Sequence, residues 1–337
     1  MTNKTNSRVF SAIQPSGELH IGNYLGALKN FVELQNKPAS PAGRYECFFF
    51  IADYHSITEN YDPKKKPEQI MNLALDMLAA GLDPKKCTIA IQSQIPEHTE
   101  LAWIFNTITP MGLLERMTQY KDKAQRQNEN INVGLFDYPV LQAADILIYK
   151  AGLVPVGQDQ VQHLEFTRNI AHAFNNKFGE TFPEPEALLT ETPKIMSLLD
   201  PAKKMSKSAG SKSYIGINDS PETIKEKLKK AVTDTGISKE VTPATKNLFL
   251  LLEILGKKEH YETFFAEHKK GTVKYSQLKE TLASDIADYF APFRAKRQEL
   301  EAKPEYIKKV LADGAERSRK VARATMQEVK EKIGLIL

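Results

Sequence analysis

Cys47-Phe48-Phe49-Phe50-Ile51-Ala52 is an unbroken apolar run. A strand with one face in water alternates polar and apolar side chains, whereas a strand covered on both faces does not; covered strands belong to parallel sheets. Working outward, 9–13, 88–92 and 153–156 read as further short strands. Between them, apolar residues recur at helical spacing over 21–34, 67–80, 101–108 and 158–174. Alternating strand and helix predicts an α/β fold, a doubly wound parallel sheet with helices on both faces. Residues 38–43, rich in Pro, Ala and Ser, read as a loop inserted in this pattern.

Beyond Pro201 the strands give way to helices at 221–232, 244–255, 275–297 and 304–333. Pro221 and Pro304 stand where a first helical turn tolerates proline, and Gly314 is read as dividing the last segment. Residues 202–213 are rich in Lys, Ser and Gly, show no apolar face, and read as a mobile connector. The expected organisation is an α/β nucleotide-binding domain over 1–200, a basic loop over 201–213, and an all-helical domain over 214–337. The last helix is free to pack back on the first domain.

The 337 residues are 41% hydrophobic and 26% charged, with a net charge of +4. That balance excludes a protein that coats nucleic acid by bulk positive potential, so any RNA contact is local. Cys47 and Cys87 lie outside any CxxC or Cys/His cluster and read as buried thiols; no protein-bound metal is expected. There is no apolar run of about eighteen residues, and 1–8 is polar, so a cytoplasmic protein without a membrane span is expected.

Two stretches carry chemistry. Gln14-Pro15-Ser16-Gly17-Glu18-Leu19-His20-Ile21-Gly22-Asn23 joins the first strand to the first helix. A helix start there offers unpaired N–H groups to an anion. Gly22 leaves room for a base or ribose, and His20 and Asn23, three apart, can serve one phosphate. The same residues also suit a plain glycine turn with a surface histidine. Lys203-Lys204-Met205-Ser206-Lys207-Ser208 puts point charges on flexible stems, suited to a polyphosphate whose charge grows as a bond breaks. A solvated linker is the plainer reading; the embedded Met205 and the coexistence of both stretches argue against it.

Together these stretches resemble class I aminoacyl-tRNA synthetases: residues 20–23 (HIGN) are similar to the HIGH signature, and 204–208 match KMSKS letter for letter. Further blocks resemble bacterial tryptophanyl-tRNA synthetases, namely 10–17 (FSAIQPSG), 22–28 (GNYLGAL), 115–123 (ERMTQYKDK), 138–148 (YPVLQAADILI) and 154–163 (VPVGQDQVQH). The resemblance implies a Rossmann-like domain and a ligase that joins L-tryptophan to tRNA(Trp) using Mg2+-ATP.

It also implies residue roles. His20, Asn23, Lys123, Lys204 and Lys207 would stabilise the charge of phosphoryl transfer. ATP would meet Gln14, Pro15, Ser16, Gly22, Asn23 and the segment Gly157-Gln158-Asp159. Ile195, Lys204, Met205, Ser206, Lys207 and Ser208 would complete that site. For the amino acid, Tyr138, Gln142, Asp145 and Tyr149 are spaced by four, three and four, on one helical face, with Pro139 suited to a first turn. A buried carboxylate needs a donor, and the indole N–H is a donor-only group that tryptophan alone offers. By resemblance Asp145 accepts that bond and Phe10, Val154 and Val156 pack on the ring. Tyr138 and Gln160 would hold the ammonium, with His55 near the carboxylate.

Gln142 stands where many relatives carry methionine, a feature reminiscent of tyrosyl-tRNA synthetases, and Gln158 replaces a common glutamate. The resemblance further implies a homodimer and a helical domain that reads the tRNA anticodon. Arg317, Arg319, Lys320 and Arg323 offer either an RNA face or a solvated helix with Glu316 and Glu328 partners. Alternative classes are a small-molecule nucleotidylyltransferase and a non-catalytic RNA-binding paralogue.

Overall fold

The computed structural model describes residues 8–40, 43–117, 131–157, 160–189, 193–233 and 242–336. The chain divides into two compact units. The first takes Met1–Gly17, Ala27–Glu191 and Lys303–Leu337; the second takes Glu18–Gly26 and Thr192–Ala302. This is not the linear division expected near residue 200. Packing, rather than chain order, decides it.

In the first unit five parallel strands form the sheet: β1 (Arg8–Ile13), β4 (Glu46–Ile51), β5 (Cys87–Ile91), β6 (Leu153–Val156) and β7 (Glu186–Leu189), in the order β5-β4-β1-β6-β7. The chain winds outward from β1 on one side and returns to lay β6 and β7 on the other. The switch point thus lies between β1 and β6, whose carboxyl ends are where open α/β sheets bind ligands. β4 is buried on both faces, as its composition predicts. Phe49 stacks on Phe31 at 4.3 Å, while Phe48 and Phe50 meet the Tyr149 ring at 4.7 and 5.4 Å. Residues 38–44 differ from the loop expected, since β2 (Pro38–Ser40) and β3 (Gly43–Arg44) pair antiparallel.

The helices of this unit are α2 (Lys29–Leu34), α3 (Asp53–Ser56), α4 (Lys66–Ala79), α5 (Glu97–Asn106), α6 (Met111–Glu115), α7 (Val133–Leu147), α8 (Val161–Phe178) and the last helix, α13 (Pro304–Ile333). Two sequence expectations are corrected here. Pro139 lies inside α7 rather than in its first turn, because the helix starts earlier, where the Asn132 side chain accepts from Leu135 N at 3.0 Å. Gly314 does not divide α13, which is continuous. The glycine is there for contact: a Cβ at 314 would lie 1.8 Å from the Ile89 carbonyl oxygen, so α13 seats its backbone directly on β5.

The second unit contains α1 (Ile21–Asn23), α9 (Pro221–Lys229), α10 (Pro243–Leu255), α11 (Lys258–Lys269) and α12 (Tyr275–Glu301). Between α1 and α2 the chain makes a π turn, Tyr24–Leu28. Ser220 and Thr242 cap α9 and α10, each followed by proline at the first helical position. Helix α11 carries no strong apolar stripe and was not anticipated from the sequence.

Candidate active site

Asp145 sits on α7 at 2% exposure, which excludes a surface carboxylate. Donors from three other elements surround it. His55 Nε2 of α3 is 2.8 Å from Oδ2, and His98 Nδ1 of α5 is 2.5 Å from Oδ1. Gln92 Nε2, in the turn after β5, donates to both oxygens at 2.8 and 2.9 Å. Burial raises the carboxyl pKa, but hydrogen bonds and charge from His55 and His98 reverse this and hold it at about 2. The group is therefore an anion, an acceptor only. Behind His98, the Tyr149 hydroxyl lies 2.7 Å from Nε2.

Phe10, Val154 and Val156 belong to the apolar cluster on this face of the sheet. Phe10 stacks on Tyr149 with ring centroids 5.5 Å apart. Tyr138 is buried, which pushes its hydroxyl pKa up to about 12, and it hydrogen-bonds His163 Nε2 of α8 at 2.9 Å. Gln142 is half-buried on the same helix as Asp145, and Gln160 directly precedes α8. Gly157 follows β6. After β1 come Gln14, Pro15 and Ser16; Lys66 Nζ donates to the Pro15 carbonyl at 3.3 Å and to Ser56 Oγ at 3.0 Å, fixing that turn. The structure thus gathers Phe10, His55, Tyr138, Asp145, Val154 and Val156 into one buried region. Gln92, His98, His163 and Lys66 were not foreseen. They touch the expected residues across large sequence separations, so no local pattern announces them.

In the second unit, residues 19–21 pair with 215–217: Ile21 N donates to Ile215 O and Ile217 N to Leu19 O, both at 3.0 Å. This fixes His20 at the start of α1, where it forms a reciprocal cap. Asn23 N donates to His20 Nδ1 at 3.3 Å, and His20 N donates to Asn23 Oδ1 at 3.2 Å. A Cβ on Gly22 would lie 2.9 Å from the His20 ring, so the glycine makes room for that cap as well as for any ligand. Burial lowers the His20 pKa to about 4, helped by the charges of Lys207 and Lys204. The ring is neutral, and with Nδ1 accepting, Nε2 carries the proton and can donate to a phosphate oxygen.

The basic loop is more tied down than its composition suggests. Ser197 N donates to Lys203 O at 2.8 Å and Met205 N to Ile195 O at 2.9 Å, making a short antiparallel pair. Met205 is buried at 3%, supplying the apolar anchor that the expected connector lacked. Asn247 of α10 clasps the Met196 backbone through both amide atoms, each at 2.9 Å. From this base Lys204 is exposed and Lys207 half-buried, with Lys207–Ala209 forming one 3-10 turn that includes Ser208. The Ser206 carbonyl accepts from Ser213 Oγ at 2.9 Å. Lys123, Gln158 and Asp159 lie outside the described residues. Of Arg317, Arg319, Lys320 and Arg323 on α13, Arg319 Nε donates to Gln94 O at 2.8 Å and Arg323 pairs with Glu97 at 3.2 Å, so the protein itself engages these two.

A parallel sheet with a ligand-binding switch point, a neutral histidine capping a helix start and a lysine loop beneath it define a class I synthetase-type nucleotide enzyme. The sequence matches the family described as tRNA synthetases class I (W and Y) over residues 2–291, and the chain belongs to that family. It is 46% identical to a tryptophan–tRNA ligase of Rickettsia conorii, over 98% of this chain and 99% of that protein. A tryptophan–tRNA ligase of Caldanaerobacter subterraneus is 44% identical at the same coverage. Among solved structures, the Campylobacter jejuni tryptophanyl-tRNA synthetase complexed with ADP and tryptophan is 38% identical, with a TM-score of 0.84 over 97% of this chain and 99% of that one.

Proposed function

We propose that this chain is a tryptophan–tRNA ligase. The tryptophan carboxylate attacks the α-phosphorus of Mg2+-ATP in line; an O–P bond forms, the bond to pyrophosphate breaks, and tryptophanyl-adenylate results. A ribose hydroxyl at the 3′ end of tRNA(Trp) then takes the tryptophanyl group and releases AMP. The single observation that carries the tryptophan assignment is the buried Asp145 carboxylate, kept anionic by its donors and set beside Phe10, Val154 and Val156. An anionic acceptor in an apolar site favours an amino acid whose ring offers an N–H. An amino acid that lacks it forgoes that bond, and a site built to hydrogen-bond a substrate N–H can discriminate by roughly ten-thousandfold without editing. Tyr138 and Gln160 hold the substrate ammonium, Gln142 lies beside them, and His55 meets the carboxylate.

The residues assigned to the nucleotide are Gln14, Pro15, Ser16, Gly157, Gln158 and Asp159 in the first unit. In the second they are Gly22, Asn23, Ile195, Met205, Ser206 and Ser208 with the lysines. His20 Nε2–H, Lys204, Lys207 and Lys123 neutralise the charge that develops on the phosphates. Each such donor is worth about 3 kcal/mol where it strengthens in the transition state. Mg2+ enters with ATP as part of the substrate.

Helices of the second unit read the tRNA anticodon, and the activity is cytoplasmic, where charged tRNA is used. No helix among the described residues is long and apolar enough to cross a membrane. The protein is a homodimer. What supports this is an apolar face on the first unit, where Trp103, Met111 and Val133 are 72%, 63% and 78% exposed. Trp103 lies one turn before Asn106 and Val133 one turn before Asp137, and Asn106 Nδ2 donates to Asp137 Oδ2 at 2.9 Å, which brings the two helices' apolar residues to one side.

ATP–pyrophosphate exchange, run with each amino acid in turn, tests the assignment. Exchange with tryptophan alone is expected, and Asp145→Ala should cut it by roughly a hundredfold or more while leaving ATP binding within about twofold. Exchange with tyrosine would select the neighbouring specificity to which Gln142 points; no exchange with any amino acid would leave a non-catalytic paralogue.

A further inference from the structure

Asp145 is itself held by something. His98 is fully enclosed, at 0% exposure, and its ring lies between Asp145 Oδ1 at 2.5 Å and the Tyr149 hydroxyl at 2.7 Å. Tyr149 is also at 0% exposure and is clamped between Phe10, at 5.5 Å and an interplanar angle of 11°, and Phe48, at 4.7 Å and 21°. Its own carbonyl accepts from Arg8 Nη1 at 3.0 Å. The direction of the bond to Asp145 follows from chemistry. An ionised carboxylate only accepts, so His98 Nδ1 must carry a proton. Nε2 and the tyrosine hydroxyl share the second bond, and Ser318 is a further hydrogen-bonding neighbour of that hydroxyl. The tyrosine thereby fixes the tilt of the imidazole, which in turn fixes Oδ1. Gln92 is held in the same sense. It turns its amide nitrogen to both carboxylate oxygens even though its Oε1 is left buried without a partner among the described residues.

Resting on the tryptophan assignment above, we infer that His98 and Tyr149 are positioning residues for substrate selectivity, acting through Asp145 and never touching the amino acid. His98 has no exposed surface with which to reach a substrate, unlike His55, which retains 6%. Their role is to hold the carboxylate in one rotamer, so that the lone pair offered to the indole points in one direction. A site with a loosely held acceptor would still bind an apolar bicycle; it would lose the preference for one bearing an N–H.

The test compares L-tryptophan with 3-(benzothiophen-3-yl)-L-alanine, in which sulfur replaces the indole N–H at nearly constant shape. The quantity read is the ratio of their kcat/KM values in ATP–pyrophosphate exchange. His98→Leu, which removes both bonds, should lower that ratio at least about tenfold, through loss on tryptophan alone. Tyr149→Phe, which removes only the hydroxyl that holds the imidazole, should lower it by roughly threefold. His98→Asn, whose amide nitrogen can replace Nδ1, should restore most of it. If His98 and Tyr149 were merely structural, both substrates would suffer equally and the ratio would stand in every variant, which overturns the inference; should His98→Leu fail to fold, Tyr149→Phe alone decides it on the same criterion. A wild-type ratio near one is a different failure, since it removes the tryptophan reading of Asp145 and takes the inference with it.

Discussion

A histidine facing two lysines from inside the fold has every reason to stay neutral, and His20 is in that position. Burial disfavours the imidazolium, and Lys207 and Lys204 add repulsion, bringing the pKa to about 4 from an ordinary 6.5. Between those values the unfolded chain binds a proton that the folded one refuses. Stability therefore falls as pH drops from about 6.5 toward 4. An NMR titration, with the His20 signal assigned by its loss in His20→Gln, should place the midpoint near 4. Lys207→Ala should raise it without restoring the ordinary value, because burial is the larger cause. An unchanged midpoint in Lys207→Ala would mean that the loop's charge does not reach the ring. The sequence made His20 and the lysines conspicuous but could not reveal that His20 and Asn23 cap each other. Nor could it show that Gly22 is needed to clear the ring.

At the scale of elements, α13 depends on one missing side chain. With Gly314 Cβ space occupied by the Ile89 carbonyl at 1.8 Å, Gly314→Ala must push the helix off β5. The buried bond from Ser318 Oγ to Gly314 O, at 2.8 Å, moves with it. A loss of about 3 kcal/mol is expected, read as a shift of the urea midpoint, whereas Gly112→Ala, where a Cβ meets nothing within 4 Å, should be nearly neutral. An equal response at both sites would deny the close seating. The sequence announced a glycine here but suggested a break, since helical propensity cannot see a strand carbonyl from elsewhere in the chain. Strand β4 was legible because burial on both faces is written into its composition. Strand β7 was not, being an edge strand of intermediate and exposed residues. Asp145 was legible by its apolar flanks, but His55, Gln92 and His98 meet it only through the sheet.

The molecule as a whole offers one reporter for its assembly. Trp103 is the sole tryptophan of the chain and is 72% exposed. If the face it shares with Met111 and Val133 joins two copies, Trp103→Asp should yield folded monomers in sedimentation velocity, with an unfolding midpoint lowered by the lost association. The emission of unaltered Trp103 should also shift to shorter wavelength as concentration rises. Wild-type protein that sediments as a monomer at every concentration would remove the dimer.

The three-segment make-up of the first unit also sets a timetable for synthesis. Strand β5 emerges from the ribosome early, but the helix that covers it, α13, follows the whole of Thr192–Ala302. Until then the sheet has one face unclosed, with the Ile89 carbonyl and its apolar neighbours open to any passing hydrophobic surface. Nascent chains halted before α13 should therefore engage chaperones and resist protease poorly, even though every residue of the amino-acid pocket has already been made.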